Sequence, residues 1–316
     1  MLSDVSIHLR SLFNTFTQDD RILLGNASFQ FDQQKFLLIT PLLLPDSEKT
    51  IAFVDGGQAE ILRAGNFIVS FIRVHTQTFA GLQKKEFLRY EFFLVTRAIW
   101  HDSALCYKSS MITDEEKLFS EDLLFVSSHH PLLKKGNERA DLSVVVSMAR
   151  RFAELVVARR VGADYVVLDG TMDVTYPGEE QFLSALGKNV CALAKSSSLF
   201  TMNGNSPAVL LQRSGPSESW VYPVNEVTLF VKLHPSARHI FRFEGNQEVL
   251  PYLLLHSTDA LFLGYPYGLV FADRMARVSN QEQKSLFLRL MLDERNKEIK
   301  NYLTTLDAHS ILDSLS

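Results

Sequence analysis

Cysteine is scarce in this chain. Cys106 and Cys191 are the only two, far apart in sequence. That excludes a disulfide framework and a cysteine-based zinc site, and it points to a reducing, cytoplasmic setting. Met1 to Arg10 contains Asp4 and no apolar core, so a secretion signal is not expected. The longest early apolar run, Phe36–Leu44, is broken by Pro41 and is too short to span a bilayer, so no membrane attachment is expected. An excess of positive charge is also lacking: 32 Lys and Arg against 36 Asp and Glu give a formal net charge of −4. A protein that coats nucleic acid with a broad basic surface is thereby excluded. Nucleic acid would have to be held in a confined groove or with a partner's help. There is no GxxxxGK[ST] phosphate loop, no GxSxG elbow and no GxGxxG fingerprint. His129, His130, His234 and His239 have no nearby cysteine partner and no HExxH helix, so they form no zinc pattern. Internal repeats and low-complexity tracts are missing as well.

What is present is an apolar chain rich in phenylalanine, 23 of 316 residues, enough to fill a large core. Residues 1–50 read as an accessory segment: helix-like spacing from Val5 to Phe16, a short strand at Phe29–Phe31, and a turn at Pro45-Asp46-Ser47. Ile51–Val54 then reads as a buried strand running into a tight turn at Asp55-Gly56-Gly57. Phe67–Phe79 and Phe87–Trp100 are long strand-like segments that complete a three-stranded meander. Residues 101–138 read as an insertion with short helices. Arg139–Val161 is a helix, apolar over more than half its circumference through Val144, Val145, Met148, Phe152, Leu155 and Val156, and therefore covered on several sides. Tyr165–Leu168 is a second buried strand, again ended by an acid and a glycine, Asp169-Gly170. A helix at Glu179–Leu193, turning strand-like near its end, strands at Val221–Leu233 and Ile240–Phe243, a helix from Pro266 to Val278 and a long C-terminal helix over 281–303 follow. A meander followed by αβ units predicts a ribonuclease-H-like α/β fold: a mixed sheet of antiparallel and parallel strands flanked by helices. The expected organisation is an accessory segment at 1–50, a ribonuclease-H-like core at 51–280 with the insertion at about 101–138, and a C-terminal helix at 281–316.

The acids carry the chemistry. Hydrolysing a phosphodiester requires a nucleophilic water and charge neutralisation at the leaving oxygen, and paired hard cations held by carboxylates supply both. Asp55 and Asp169 each end an apolar strand immediately before glycine, where α/β sheets place ligands. The plain alternative is that Asp-Gly is a common turn dipeptide. Glu154 lies on the narrow polar strip of its helix beside Ser143, Ser147 and Ala158; its alternative is a solvent-exposed ion pair with Arg150. Asp273 sits in the Pro266–Val278 helix, where its alternative is a surface pair with Arg277.

Taken in order, these segments resemble a known family. Ile51-Ala52-Phe53-Val54-Asp55-Gly56-Gly57, Arg151-Phe152-Ala153-Glu154-Leu155 and Tyr165-Val166-Val167-Leu168-Asp169-Gly170-Thr171 look like successive motifs of the NurA nucleases. Ala194-Lys195-Ser196, Phe230-Val231-Lys232-Leu233 and Gly264-Tyr265-Pro266-Tyr267-Gly268-Leu269, with Ala272-Asp273, continue the series. No single motif is specific; the ordered set from about residue 51 to 279 is. The resemblance implies a manganese- or magnesium-dependent nuclease with two ions, held by Asp55, Glu154 and Asp169 and by Asp273. It implies 5'-3' exonuclease and single-strand endonuclease activity in DNA end resection for double-strand-break repair. Homodimers working with a HerA-type hexameric ATPase are also implied. The chain departs from the pattern at Asp273, where the family usually carries histidine, and that puts metal preference in question. Lys195, Ser196, Arg151, Lys232 and Tyr267 are candidate DNA contacts, each of which could equally be a solvated or core residue. Two rival readings stay open: a degenerate ribonuclease-H-like scaffold that binds a partner ATPase, and an actin-like phosphotransferase or ATPase that uses Asp-Gly turns to hold phosphate.

Overall fold

A computed structural model describes residues 1–15, 21–41, 49–195 and 199–306; the turn expected at Pro45-Asp46-Ser47 lies outside them. Helix α1 (Leu2–Thr15), the hairpin β1 (Arg21–Leu24) and β2 (Ala27–Gln30), and the short β3 (Leu37–Leu38) come first. Four long strands follow: β4 (Thr50–Arg63), β5 (Phe67–Ala80), β6 (Gln83–His101) and β7 (Ala104–Ile112), then the two-residue β8 (Val126–Ser127). The αβ part consists of α2 (Leu142–Arg160), β9 (Tyr165–Asp169), α3 (Glu180–Ser184) and β10 (Val190–Ala194). Helix α4 (Pro207–Ser214) leads into β11 (Trp220–Pro223), β12 (Thr228–Lys232) and β13 (Phe241–Glu244). Helices α5 (Leu250–His256), α6 (Tyr267–Ala276), α7 (Asn280–Leu292) and α8 (Lys297–Leu306) close the described chain.

Apart from the β1–β2 hairpin, the described strands join one eleven-stranded sheet, in the order β3-β11-β12-β13-β10-β9-β4-β5-β6-β7-β8. The pairs β4/β9 and β9/β10 are parallel and the rest antiparallel. Its centre, β6-β5-β4-β9-β10, is the expected ribonuclease-H-like mixed sheet. The central strands are buried on both faces, so they read as continuous apolar runs rather than as alternation. Ala52, Val54, Val166, Leu168, Val190 and Ala192 pack under α2, where Val145, Met148, Phe152 and Leu155 meet them. Ile51, Phe53, Val167, Cys191 and Leu193 face the opposite way, onto Leu253, Leu254, Leu269 and Ala272 of α5 and α6. Among the described residues no helix is long and apolar enough to cross a membrane.

Several expectations change in detail. The stretch 101–138 gives the sheet a fourth long strand, β7. The signal was obscured because one inward position is Ser109, satisfied by a 2.8 Å hydrogen bond to the buried Thr96 hydroxyl. Val221–Leu233 is two strands, β11 and β12, because the Asn225 side chain accepts from the amides of Val227 and Thr228 and turns the chain. The helical part of 179–193 is only α3, and β10 takes over after Gly187. The C-terminal helix breaks at Asp293, which is extended (φ −68°, ψ 120°) and caps the next turn by accepting from the Arg295 amide.

The most consequential change concerns Asp55-Gly56-Gly57. These residues make no turn; β4 runs straight through them to Arg63. Glycine is required for close approach instead. A Cβ on Gly56 would lie 2.4 Å from Glu154 Oε1, and one on Gly57 would lie 2.2 Å from the Ala276 carbonyl oxygen at the end of α6. A side chain at position 57 would push α6 off the sheet. Gly57→Ala is therefore expected to cost about 1–3 kcal/mol in chemical denaturation. Gly65→Ala, where a Cβ meets nothing within 4 Å, is expected to stay within about 0.5 kcal/mol of the parent. Equal midpoints for the two variants would refute the packing role of Gly57.

Candidate active site

Unequal strand lengths create the site. Strand β9 stops at Asp169, while its parallel neighbour β4 continues for eight residues past Asp55. Val54 is paired with Leu168, which sets Asp55 level with Asp169; Leu193 of β10 is paired with Asp169, which puts Lys195 just beyond the end of β10. Asp55 and Asp169 follow the alternation of Phe53 and Val167 and so share the face covered by α6. Helix α6 brings Asp273 to this rim, and the loop before it brings Tyr265.

Glu154 arrives from the opposite face, on α2. It is 4% exposed, with its carboxylate lying against Gly56. The missing side chain at position 56 opens the sheet surface so that Glu154 and Asp55 feel each other. Arg150, one helical turn earlier, donates from Nη1 to Glu154 Oε1 (2.7 Å) and to the Gly56 carbonyl (2.9 Å). The i,i+4 pair offered by the sequence is thus present, but half-buried in a notch rather than on a solvated face. Arg151 lies 3.9 Å from the other Glu154 oxygen.

The electrostatics show that these groups form one cluster. Burial, then the charges of Glu154 and Asp169, with a smaller contribution from Asp273, push the Asp55 carboxyl up to about 8, against the opposing pull of the Gly56 amide that it accepts from. Burial also raises Glu154, although Arg150 and Arg151 oppose the shift. Burial and the charges of Asp169, Asp55 and Asp273 raise the Tyr265 phenol; its buried hydroxyl faces Asp169 without a well-formed hydrogen bond. Burial works against the charge on Lys195, but the 2.5 Å bond to Asp169 Oδ2 more than offsets it, so the amine titrates above its ordinary value. The Lys195 ammonium also stands 5.1 Å over the Tyr265 ring.

The structure therefore brings Asp55, Glu154 and Asp169 together, with Lys195 beside them and Asp273 at the outer rim. Asp273 also makes the surface pair with Arg277 (3.0 Å). Arg151 faces inward: it donates to Glu179 (2.8 Å) and to the Thr171 carbonyl. Tyr267 lies on the other flank of α6, against Phe79. Lys232 is not brought to the cluster. It is buried on β12, three strands from β9, with its ammonium 2.8 Å from the Ser217 carbonyl. Ser196 lies outside the described residues. Two features escape a reading of the sequence. Glu179 is fully buried and accepts from the Thr175 and Tyr176 amides and from Arg151, which shapes the loop after Asp169. Arg242 is forked onto Asp173 (2.7 and 2.8 Å) in the same loop. Nothing in the spacing of these residues announces the contacts.

A hard divalent cation fits the chemistry of this donor set. Carboxylates from three elements lie within the field of Asp55, which burial and like charge hold protonated and which has no cation partner among the described residues. As they stand, the acids are turned onto Arg150, Lys195 and Arg277, and no three His, Cys, Asp or Glu side chains among the described residues are gathered as a ready cage.

No protein-family model matches the chain, and no curated protein sequence matches it. Among solved structures the chain is similar to the NurA nuclease from Sulfolobus solfataricus, with 12% identity over 92% of this chain and 94% of that one and a TM-score of 0.51. It is more weakly similar to human endonuclease V, with 10% identity over 75% and 85% of the two chains and a TM-score of 0.38. Endonuclease V from Ciona intestinalis, solved with inosine-containing DNA, gives 13% over 80% and 94%, also at 0.38. The class of fold is ribonuclease-H-like α/β. Within that class the arrangement is NurA-like, and at this identity the likeness establishes the fold alone.

The Asp55 shift has a measurable consequence. Asp55 in the folded chain keeps its proton up to about pH 8, whereas in the unfolded chain it ionises near the ordinary carboxyl value of 3.8. Between those values the folded state binds more protons, so this residue's contribution to stability falls as pH rises. With chelator present, Asp55→Asn is expected to match the parent near pH 4 and to exceed it by on the order of 1–3 kcal/mol at pH 8, read by denaturant unfolding. A difference independent of pH would remove the carboxyl coupling inferred here.

Proposed function

We propose that this chain is a metal-dependent deoxyribonuclease whose site is the notch beyond β9. The observation that carries the reading is the meeting of Asp55, Glu154 and Asp169 across a sheet opened by Gly56. A buried cluster of acids costs stability, and so it calls for a functional reason. The NurA-like fold supports the same reading.

In this proposal Asp55, Glu154 and Asp169 hold the metal and Asp273 completes the set from α6. The ordered motifs favour manganese or magnesium, as two ions. A bound cation would supply positive charge against the phosphodiester and make a nearby water more acidic. The chain's own cations do the rest. Arg150 and Lys195, placed by Glu154 and Asp169, present donors to a phosphate entering the notch. Tyr265 closes the α6 side and offers its phenolic proton beside Asp169. The motif series also supports 5'-3' exonuclease and single-strand endonuclease action in DNA end resection during double-strand-break repair. It supports a homodimer and a HerA-type hexameric ATPase as partner, and the two isolated thiols Cys106 and Cys191 favour a place in the reducing cytoplasm. Aspartate in place of the usual histidine at 273 favours a purely oxygen-ligated ion.

One observation favours the scaffold alternative: Glu154, Asp169 and Asp273 each have a cation within ion-pair distance, so three of the four acids are neutralised by the chain itself. The actin-like reading calls for two similar lobes, whereas one sheet gathers all the described strands except the β1–β2 hairpin. The nuclease reading expects manganese-dependent cleavage of single-stranded or end-exposed DNA. Asp55→Asn and Asp169→Asn should each slow it by about 10²-fold or more and weaken manganese binding in calorimetry, with no loss of stability in the metal-free protein. If the parent protein takes up no manganese and cleaves no DNA, yet captures a partner ATPase, the scaffold reading replaces this one.

A further inference from the structure

The face that carries Asp55 continues sideways onto the β5–β6 hairpin. Asp55 is directly opposite His75 on β5, and His75 is directly opposite Arg89 on β6, so the three share one face. Two strand spacings, about 10 Å, separate Arg89 from Asp55. Phe87 lies opposite Gln77 and Lys84 opposite Phe79, which extends the row along β6. Strand β7 first pairs with β6 at Phe93, so from Gln83 to Phe92 the outer edge of β6 has no strand partner among the described residues.

On this strip aromatic and basic residues interleave. Phe87 is 62% exposed, yet its ring is held: His75 stacks beneath it at 5.7 Å and 26°, and Phe271 of α6 meets His75 at 6.1 Å. His75 is buried, with both ring nitrogens unpartnered, so it serves as an apolar floor despite its polarity. Lys84 Nζ stands 3.4 Å over the Phe271 ring and 5.8 Å from that of Tyr267, with no carboxylate partner among the described residues. Arg89 is partly answered by Glu91, which also binds the buried Arg73. Phe271 and Asp273 lie roughly 200° apart on α6, so this strip and the acid cluster occupy opposite flanks of one short helix.

We propose that Phe87, Lys84, Tyr267 and Phe271 form a platform for single-stranded DNA. A base stacks on the outer face of Phe87, and Lys84 meets the adjoining phosphate. This inference rests on the nuclease reading and names its substrate as a strand with unpaired bases. A rigidly backed, exposed aromatic ring beside an unpaired lysine is the arrangement that binds such strands without reading sequence. Lysines 84 and 85 on the free edge also discourage pairing with a second copy.

Fluorescence anisotropy in chelator tests this, with a labelled oligothymidylate and an abasic oligomer of the same length. Phe87→Ala is expected to weaken oligothymidylate binding about 5- to 100-fold and to leave the abasic oligomer unchanged, while Phe87→Tyr keeps parental affinity. Lys84→Ala should weaken both probes and lower the log–log salt slope by about 0.7. Parental affinity of Phe87→Ala for oligothymidylate overturns the platform. If that variant instead turns a dimer into a monomer in sedimentation while keeping its DNA affinity, the edge belongs to a second copy and the proposal is wrong. A parent protein that cleaves DNA with manganese while Phe87→Ala binds normally loses the platform alone. A parent protein that neither binds nor cleaves any DNA loses the nuclease reading with it.

Discussion

Carboxylates taken out of water need positive charge close by, and the arrangement around β4 follows from that requirement. Asp55 is 8% exposed and Glu154 4%, and each lies within the field of the other and of Asp169. Arg150 bridges Glu154 to the backbone of β4, and Lys195 is bound to Asp169. The guanidinium thus does two things: it neutralises a buried acid and caps a strand carbonyl that has lost its neighbour where β9 ends. A chain without a use for such a cluster would gain by replacing it with apolar side chains of similar volume.

The surrounding fold is arranged to permit this contact. A parallel strand that stops early beside one that continues leaves a notch open to both faces of the sheet. Gly56 lets α2 deliver an acid through one face, and Gly57 and Gly268 let α6 settle close on the other, since a Cβ on Gly268 would enter the Phe53 ring at 2.0 Å. The loop after Asp169 is pinned by Glu179, Arg151 and the Arg242–Asp173 fork, so the chain leaving β9 cannot fall back into the notch. The site is therefore defined by what is left out, namely side chains at two positions of β4 and strand residues beyond Asp169.

How much of this could be read from the residues follows from where each signal resides. The buried central strands, α2 and the break at Asp169-Gly170 are local and periodic, and the mixed sheet follows from their order. Gly170 does adopt the positive φ of 117° expected of a strand exit. Asp55-Gly56-Gly57 has the same composition and a different cause. Its glycines answer to Glu154 and Ala276, about a hundred and two hundred residues away, and no local pattern distinguishes a turn glycine from a close-approach glycine. Strand β7 was hidden by a satisfied inward serine. The motif offers Lys232 as a contact, but the strand that carries it is buried on both faces, Val231 among Leu253 and Leu254 of α5 and Phe230 among Ile22 and Leu211, which no local pattern announces. Glu154 and Asp273 each show the ion pair that spacing alone allows, so the pairs could not discriminate. Burial does: Glu154 is sealed in the notch, whereas the Asp273 side chain stays 39% exposed.

A net charge of −4 and a role at DNA are compatible once the charge is divided by location. Three of the cluster's acids lie inward, at the floor of the notch, where Arg150 answers Glu154 and Lys195 answers Asp169 while Asp55 keeps its proton. The groups nearer solvent include Lys195, the half-buried Arg150 and Arg277, whose side chain is 71% exposed. A phosphate approaching the notch therefore meets donors before it meets carboxylates, and the low local dielectric makes that order count for more than the total. Whole-chain charge excludes a broad basic coat, but it does not exclude a small cationic rim around an acidic floor. In the proposed nuclease that rim-and-floor arrangement would meet both demands, since the same place would have to attract phosphate and retain a hard cation.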